Sequence, residues 1–229
     1  MASITPSEKS TDTQGLKTWL LPWNKLTSRV LLFLLVLFAI SYWFYVAGLS
    51  SFDNLIFDFI WPHITTGRTQ VMLAISFLSN TFFLLPAFML LCIYFLKKKN
   101  KQAALTSFIV AASSVILMSA LKSLIQRPRP EYRLVEGITN YSFPSGHAFM
   151  SIAFYGLFIY WVALSIRNKK AKIASIIFLI LLIFLIGFSR IYLRMHFATD
   201  VIAGWSIGTS WLLISLGLIT TYGKRIITL

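Results

Sequence analysis

Apolar residues in this chain fall into long runs divided by short polar clusters: about 30–49, 71–96, 103–125, 146–166, and an unbroken stretch from 173 to 221. A helix needs roughly 20 apolar residues to cross a bilayer, so the first four runs each predict one span. The fifth stretch is far too long for one helix. It predicts two spans, about 173–193 and 197–221, with a break between Arg190 and His196. The second run is expected to enter the membrane near Asn80 and to kink at Pro86. The first run is too long for a signal-peptide core and lacks a small-residue cleavage site, so it reads as an uncleaved span.

Between the first two runs, Phe52, Leu55, Ile56, Phe59 and Ile60 recur at helical spacing among Asp53, Asn54 and Asp58, and Trp61-Pro62-His63 follows. This predicts an amphipathic helix at the membrane interface, ended near the proline. His63, with no motif around it, reads as an ordinary interfacial residue. Residues 1–16 are polar and predict a disordered tail, while Trp19 and Trp23 beside Lys17 suit an interfacial segment. The expected fold is therefore all-α: a polytopic six-transmembrane-helix bundle with an interfacial amphipathic helix. Its organisation would be a polar tail and interfacial segment (1–27), a six-span domain (28–223) and a short C-terminal tail (224–229).

Composition agrees: of 229 residues, 57% are hydrophobic and only 12% charged, and mean hydropathy is +0.76. A formal net charge of +14 in a soluble protein would point to nucleic acid. Here the basic residues cluster between apolar runs, so membrane topology accounts for them and nucleic acid is not an expected partner. One side of the six spans holds Lys9, Lys17, Lys25, Arg29, Lys97, Lys98, Lys99, Lys101, Arg167, Lys169, Lys170, Lys172, Lys224 and Arg225. The other has half as many: Arg68, Lys122, Arg127, Arg129, Arg133, Arg190 and Arg194. By the positive-inside rule the first side, with both termini, is cytoplasmic. The lone Cys92 lies in an apolar run and offers neither a disulfide nor a cysteine metal site.

Three polar stretches reach the side expected to face outward. In the first, Lys122 is followed after six residues by Arg129-Pro130; Pro128 and Pro130 end the helix and hold the two cations in place. A lysine gives a point charge and an arginine a planar fork suited to phosphate oxygens, although juxtamembrane anchoring would use the same residues. In the second, Ser142-Phe143-Pro144-Ser145-Gly146-His147 opens the fourth span. A helix start with Ser145 and Gly146 presents unpaired backbone N–H groups to an anion, and His147 stands beside them as a proton donor or acceptor. An N-terminal cap with an incidental histidine is the plainer alternative.

The third stretch runs from Ser189 to Asp200 and holds Arg190, Arg194, His196 and Asp200 between two spans. His196 and Asp200, four apart, share a helix face, so the carboxylate can accept the Nδ1 proton and leave Nε2 as a free lone pair. Interfacial arginines with a structural histidine would read the same way if this stretch stood alone. Together the three supply cations, an amide cluster, a histidine–carboxylate pair and a second histidine, which is what phosphoryl transfer through a covalent histidine requires. Asp200 is the only acidic residue in them, so neither a metal nor another cofactor is expected.

Lys122-x6-Arg129-Pro130, Pro144-Ser145-Gly146-His147 and Ser189-Arg190-x5-His196-x3-Asp200 resemble the three-part signature of the type 2 phosphatidic acid phosphatase superfamily of membrane lipid phosphatases. The likeness covers about residues 80–208. It implies a six-helix membrane bundle that removes phosphate from a lipid without a metal. By position it makes His196 the nucleophile, Asp200 its orienting partner and His147 the general acid, with Lys122, Arg129, Ser145, Gly146 and Arg190 holding phosphate. Arg127, Arg133 and Arg194 lie outside the signature, as contacts for a second phosphate or headgroup or as solvated anchors.

The expected function is hydrolysis of a lipid phosphate or diphosphate at the outer face of an inner membrane, with undecaprenyl diphosphate first and phosphatidylglycerophosphate second among substrates. A lipid A phosphatase or phosphotransferase would share the motif. A transporter or receptor of anionic lipid could use the cations, but would have no need of two histidines, one paired with a carboxylate.

Overall fold

The computed structural model describes residues 25–48, 50–137 and 139–227, so the expected polar tail and the Trp19/Trp23 segment lie outside the described residues. Among the described residues, six segments are long and apolar enough to cross a membrane: Thr27–Val46, Thr66–Lys97, Lys101–Ile125, Gly146–Ser165, Lys169–Tyr192 and Ala198–Ile219. The architecture is all-α, as expected. We number the helices α1 (Lys25–Val46), α2 (Ser51–Ile60), α3 (Thr66–Phe77), α4 (Thr81–Lys97), α5 (Lys101–Ile125), α6 (Gly146–Ser151), α7 (Leu157–Ser165), α8 (Lys169–Tyr192) and α9 (Ala198–Ile227). A π-turn at Ile152–Gly156 joins α6 to α7 within one span.

Helix ends fall where side chains can satisfy the free backbone N–H groups. Asn80 accepts from the Phe82 N–H at 3.0 Å, Asn100 from Ala103 at 3.0 Å and Asn168 from Ala171 at 3.0 Å. The second span differs from expectation at its start. Thr65 caps a helix that begins at Thr66, stops at Phe77 and resumes at Thr81, so two helices fill it. Pro86 lies inside α4, which continues through it.

Helix α9 is the hub. It packs against α1 on one side and against α5, α6, the π-turn and α8 on others, while α4 pairs with α5 and α3 with α8. Leu84, Phe88, Val110, Phe149, Leu157, Ile186 and Leu212 build the main core. Two glycines of α9 allow its close approach to α6. A Cβ on Gly204 would stand 2.7 Å from the Ser145 carbonyl oxygen, and one on Gly208 would stand 3.1 Å from that of Phe149. Apolar side chains such as Leu32, Phe33, Phe82, Leu90, Ile116 and Phe178 point outward, as lipid-facing residues do.

The expected amphipathic helix is α2, with Trp61–His63 continuing it as a 3-10 turn. One residue falls on an unexpected face. Asp53, read from the sequence among the polar positions, shares the buried face with Phe57 and Ile60.

Candidate active site

Two chain reversals bring the three polar stretches together. Helix α5 stops because Gln126 takes a left-handed conformation (φ 51°) and Pro128 disfavours helix at the residue before it. After α8, the N–H groups of Met195 and His196 both return to the Arg190 carbonyl oxygen, at 3.0 and 3.2 Å. This tight turn is the break expected between the fifth and sixth spans, and it brings His196 back beside Arg190. The Ser142 N–H bonds the Arg127 carbonyl (2.8 Å) and the Ser145 N–H bonds the Asp200 carbonyl (2.9 Å), tying the second stretch to the other two.

The result is one cavity of about 730 Å³ whose wall includes Lys122, Arg129, Asn140, Gly146, His147, Arg190 and His196. Among the described residues no carboxylate lines it, so its field favours an anion. Arg190 is buried; it donates to Ser76 Oγ at 2.5 Å, and its Nε has no hydrogen-bond partner among the described residues. A buried arginine nitrogen without an acceptor is costly, and an anion in the cavity would supply one. Lys122 Nζ donates to the Tyr141 carbonyl at 2.6 Å. Arg129 is held by Asn140, through its backbone and side-chain oxygens, and by the Met195 carbonyl. Burial, with Arg133 nearby, lowers the Arg129 pKa to about 10, against an opposing pull from Asp200, so it stays charged at neutral pH.

The imidazole of His196 is fully buried. Nη1 of Arg129 stands 3.3 Å from its Nε2, and a guanidinium can only donate, so Nε2 carries the lone pair and Nδ1 the proton. Nδ1 faces Asp200 Oδ2 at 3.5 Å and makes no hydrogen bond of ordinary geometry among the described residues. This is long for a hydrogen bond, as catalytic contacts often are before substrate binds. Burial and then the cations Arg190, Arg129 and Lys122 push the His196 pKa well below the ordinary imidazole value. At neutral pH the ring is uncharged, with its Nε2 lone pair turned towards Arg129. Asp200 is fixed by the Phe197 N–H at 2.9 Å, by the Ser142 hydroxyl and by Nη1 of Arg127 at 2.6 Å.

Of the eight residues singled out in the sequence, Lys122, Arg129, Gly146, His147, Arg190 and His196 line the cavity, and Asp200 stands directly behind His196. Ser145 does not line it. Its hydroxyl is buried and caps α6 by accepting from the Ala148 N–H at 3.5 Å. The N–H groups of Gly146 and His147 have no acceptor among the described residues, as the first turn of a helix leaves them.

Arg127 is neither a headgroup contact nor a solvated anchor. It is buried, pairs with both Asp53 and Asp200, and lies over the Phe197 ring at 3.9 Å. Arg194 packs over Phe57 and Trp61 at 4.6 and 5.3 Å. Asn140 and Ser76, which hold two of the cations, carry no sequence signal. Asp53 had one: its helical register with Phe57 and Ile60. His63 is exposed, with Nδ1 3.0 Å from the Phe59 carbonyl and its ring against that of Phe59, away from the cavity.

A cationic, histidine-bearing cavity inside a bundle of apolar helices defines an integral membrane protein that handles an anionic ligand held in the bilayer. The sequence profile of the PAP2 superfamily matches residues 103–224, and the chain belongs to that superfamily. It is a membrane lipid phosphatase. Over 141 residues it is 31% identical to phosphatidylglycerophosphatase B of Bacillus subtilis, covering 61% of this chain and 69% of that one. It is 36% identical over 83 residues to an undecaprenyl-diphosphatase of Sulfolobus acidocaldarius, spanning 36% of this chain and 35% of that relative. Among solved structures, the transmembrane PAP2-type phosphatidylglycerolphosphate phosphatase of Bacillus subtilis is similar with a TM-score of 0.73 and 26% identity, over 87% of this chain and 96% of that one. LpxE of Aquifex aeolicus follows at 0.53 and 28%, over 71% and 93%.

Proposed function

We propose that the protein hydrolyses a lipid phosphate or diphosphate at the outer face of the membrane, through a covalent phosphohistidine at His196. Lys122, Arg129, Arg190 and the N–H groups of Gly146 and His147 hold the phosphoryl oxygens. Nε2 of His196 attacks the terminal phosphorus; the bond from that phosphorus to its leaving oxygen breaks, the lipid alkoxide oxygen of a monophosphate or the bridging oxygen of a diphosphate, and His147 donates the proton that oxygen needs. Asp200 balances the positive charge that grows on the imidazole. His147 then takes a proton from water, which cleaves the N–P bond and releases inorganic phosphate. Arg129, resting against Nε2, gives that donor to a phosphate oxygen when substrate enters and so frees the lone pair.

The observation that carries this reading is the shape of the cavity. From the cations it continues between α4 and α5, lined by Leu84, Leu85, Phe88, Met89, Ile93, Phe108 and Val115. Thr81 to Ile93 spans about 18 Å of helix at 1.5 Å per residue, over half of a ~30 Å hydrocarbon core. Leu85, Met89, Phe108 and Val115 are also exposed on the outer surface of the bundle, so a tail could lie there while its phosphate reaches His196. Undecaprenyl diphosphate is the first choice of substrate and phosphatidylglycerophosphate the second, in line with the names of two relatives. The basic asymmetry of the loops supports the outward orientation.

The test is phosphate release by purified protein from a panel of prenyl, glycerophospho and lipid A substrates, with acid quenching of the wild type and of His147→Ala. Acid-labile phosphate on His196 is expected, accumulating in His147→Ala with an activated leaving group. Phosphate on another residue, or activity in His196→Ala, would overturn the nucleophile assignment.

A further inference from the structure

Asp53 lies on α2, outside all three signature stretches, yet it is buried against the site. Its Oδ2 accepts from Nη2 of Arg127 at 3.0 Å and from the Thr199 hydroxyl at 2.8 Å, and its Oδ1 accepts from the Thr199 N–H at 3.0 Å. The same guanidinium donates through Nη1 to Thr199 Oγ1 at 2.8 Å and to Asp200 Oδ1 at 2.6 Å. The other oxygen of Asp200 faces Nδ1 of His196. A buried hydrogen-bonded chain therefore leads from α2 to Asp200, whose other oxygen faces the imidazole at 3.5 Å.

We propose that Asp53 is a positioning residue for phosphoryl transfer, acting on His196 through Arg127, Thr199 and Asp200. The inference rests on the reading of His196 as nucleophile. Asp200 helps an attacking imidazole only if it remains negative towards it. A single guanidinium on Asp200 would make a neutral pair with little left to stabilise an imidazolium. Asp53 shares that guanidinium, so the two carboxylates and one arginine carry a net charge of −1, and Arg127 can hold Asp200 in place without cancelling it. Stability alone is a poor reason for the arrangement, because a buried ion-pair triad is often no better than apolar packing of the same volume.

The experiment is steady-state kinetics of the purified full-length protein in detergent with a short-chain phosphatidic acid. Asp53→Asn should lower kcat by about tenfold to a hundredfold, the usual effect of removing a partner that acts through another group, with KM changed far less. In an Arg127→Met background the same change should cost little more, because the link it acts through is already gone. Thr199→Val should lower kcat and Thr199→Ser should restore it. Wild-type kcat in Asp53→Asn, or an equal loss in both backgrounds, would overturn the inference. If Asp53→Asn does not fold, the Thr199 pair decides: equal kcat in Thr199→Val and Thr199→Ser is the refuting result. An inactive His196→Ala beside a fully active Asp53→Asn defeats this inference alone, whereas activity in His196→Ala defeats the nucleophile reading and this inference with it.

Discussion

Gly204 lies on the sixth span and touches no substrate group, yet its replacement by alanine should damage catalysis. The new Cβ would stand 2.7 Å from the Ser145 carbonyl oxygen, 3.0 Å from Ala148 Cβ and 3.3 Å from the Phe149 nitrogen. Ordinary contact begins near 3.4 Å, so the Ser145 peptide and α9 must separate by 3.4 minus 2.7, or 0.7 Å. Ser145 is the cap of α6, and the next two residues, Gly146 and His147, line the cavity. A displacement approaching 1 Å in a reacting group can cost about a hundredfold in rate. Gly204→Ala should therefore lose between tenfold and a hundredfold in kcat, by that same order-of-magnitude rule. Gly208→Ala needs a separation of only 3.4 minus 3.1, or 0.3 Å, at the Phe149 carbonyl one turn further along, and should lose less. Gly67→Ala meets nothing within 4 Å and should be neutral or slightly stabilising, since alanine is the better helix former. The assay is phosphate release at saturating substrate, with thermal unfolding in detergent measured in parallel. A Gly204→Ala enzyme at wild-type kcat, or a series in any other order, would refute the claim that close packing of α9 on α6 sets the position of the anion site.

Other outcomes follow from the site's charge and orientation. His196→Ala should abolish turnover, while Asp200→Asn should leave a trace at a loss of roughly 10⁴, the size seen when an orienting carboxylate is neutralised in a comparable unit; near-normal turnover in Asp200→Asn would contradict its role. Because the His196 pKa is depressed by burial and neighbouring cations, the ring stabilises the fold above the unfolded imidazole value near 6.5, and this contribution is lost as pH falls through the lower folded value. Melting temperature of the wild type relative to His196→Ala should thus fall on acidification below about pH 6.5, and a relative rise would mean the burial argument is wrong. Turnover should survive excess chelator, and a loss that magnesium restores would contradict the cation-only electrostatics of the cavity. With Cys92 removed, a cysteine at Glu136 should react with an impermeant thiol reagent on intact cells and one at Lys169 should not; the opposite pattern would invert the proposed orientation.

The spans were legible in the sequence because hydrophobic length is a strong signal in a membrane, where backbone groups must be paired within the helix. The start of the second span was harder to see. Thr66, Gly67, Arg68 and Gln70 look like loop, but a capped first turn tolerates polar residues, and the helix begins among them. The cavity-lining residues were legible because each signature stretch carries its own chemistry at a helix end. Ser145 shows the limit of such reading: expected to hold phosphate, it is found capping α6 and does not line the cavity. Asp53 and Arg127 were misread for a different reason. Taken separately, a carboxylate and an arginine beside a membrane span both read as surface charges, and their pairing depends on a contact between segments 74 residues apart.

That pairing separates two arginines that the sequence places side by side. Arg129 lies on the Nε2 side of His196 and Arg127 behind the carboxylate that faces Nδ1. In the proposed reaction a cation on the Nε2 side can remain unneutralised by the protein, because an arriving phosphate would bring the negative charge and that interaction would be useful only when substrate is present. On the Nδ1 side Asp200 and Arg127 are buried and do not line the cavity. A buried cation there must be balanced by the protein itself, and a single balancing carboxylate would be Asp200, whose charge the imidazole needs. A second carboxylate from elsewhere in the chain resolves the conflict. Asp53 occupies the place where that charge is required, which is why an acidic residue lies on the otherwise apolar buried face of α2 with Phe57 and Ile60.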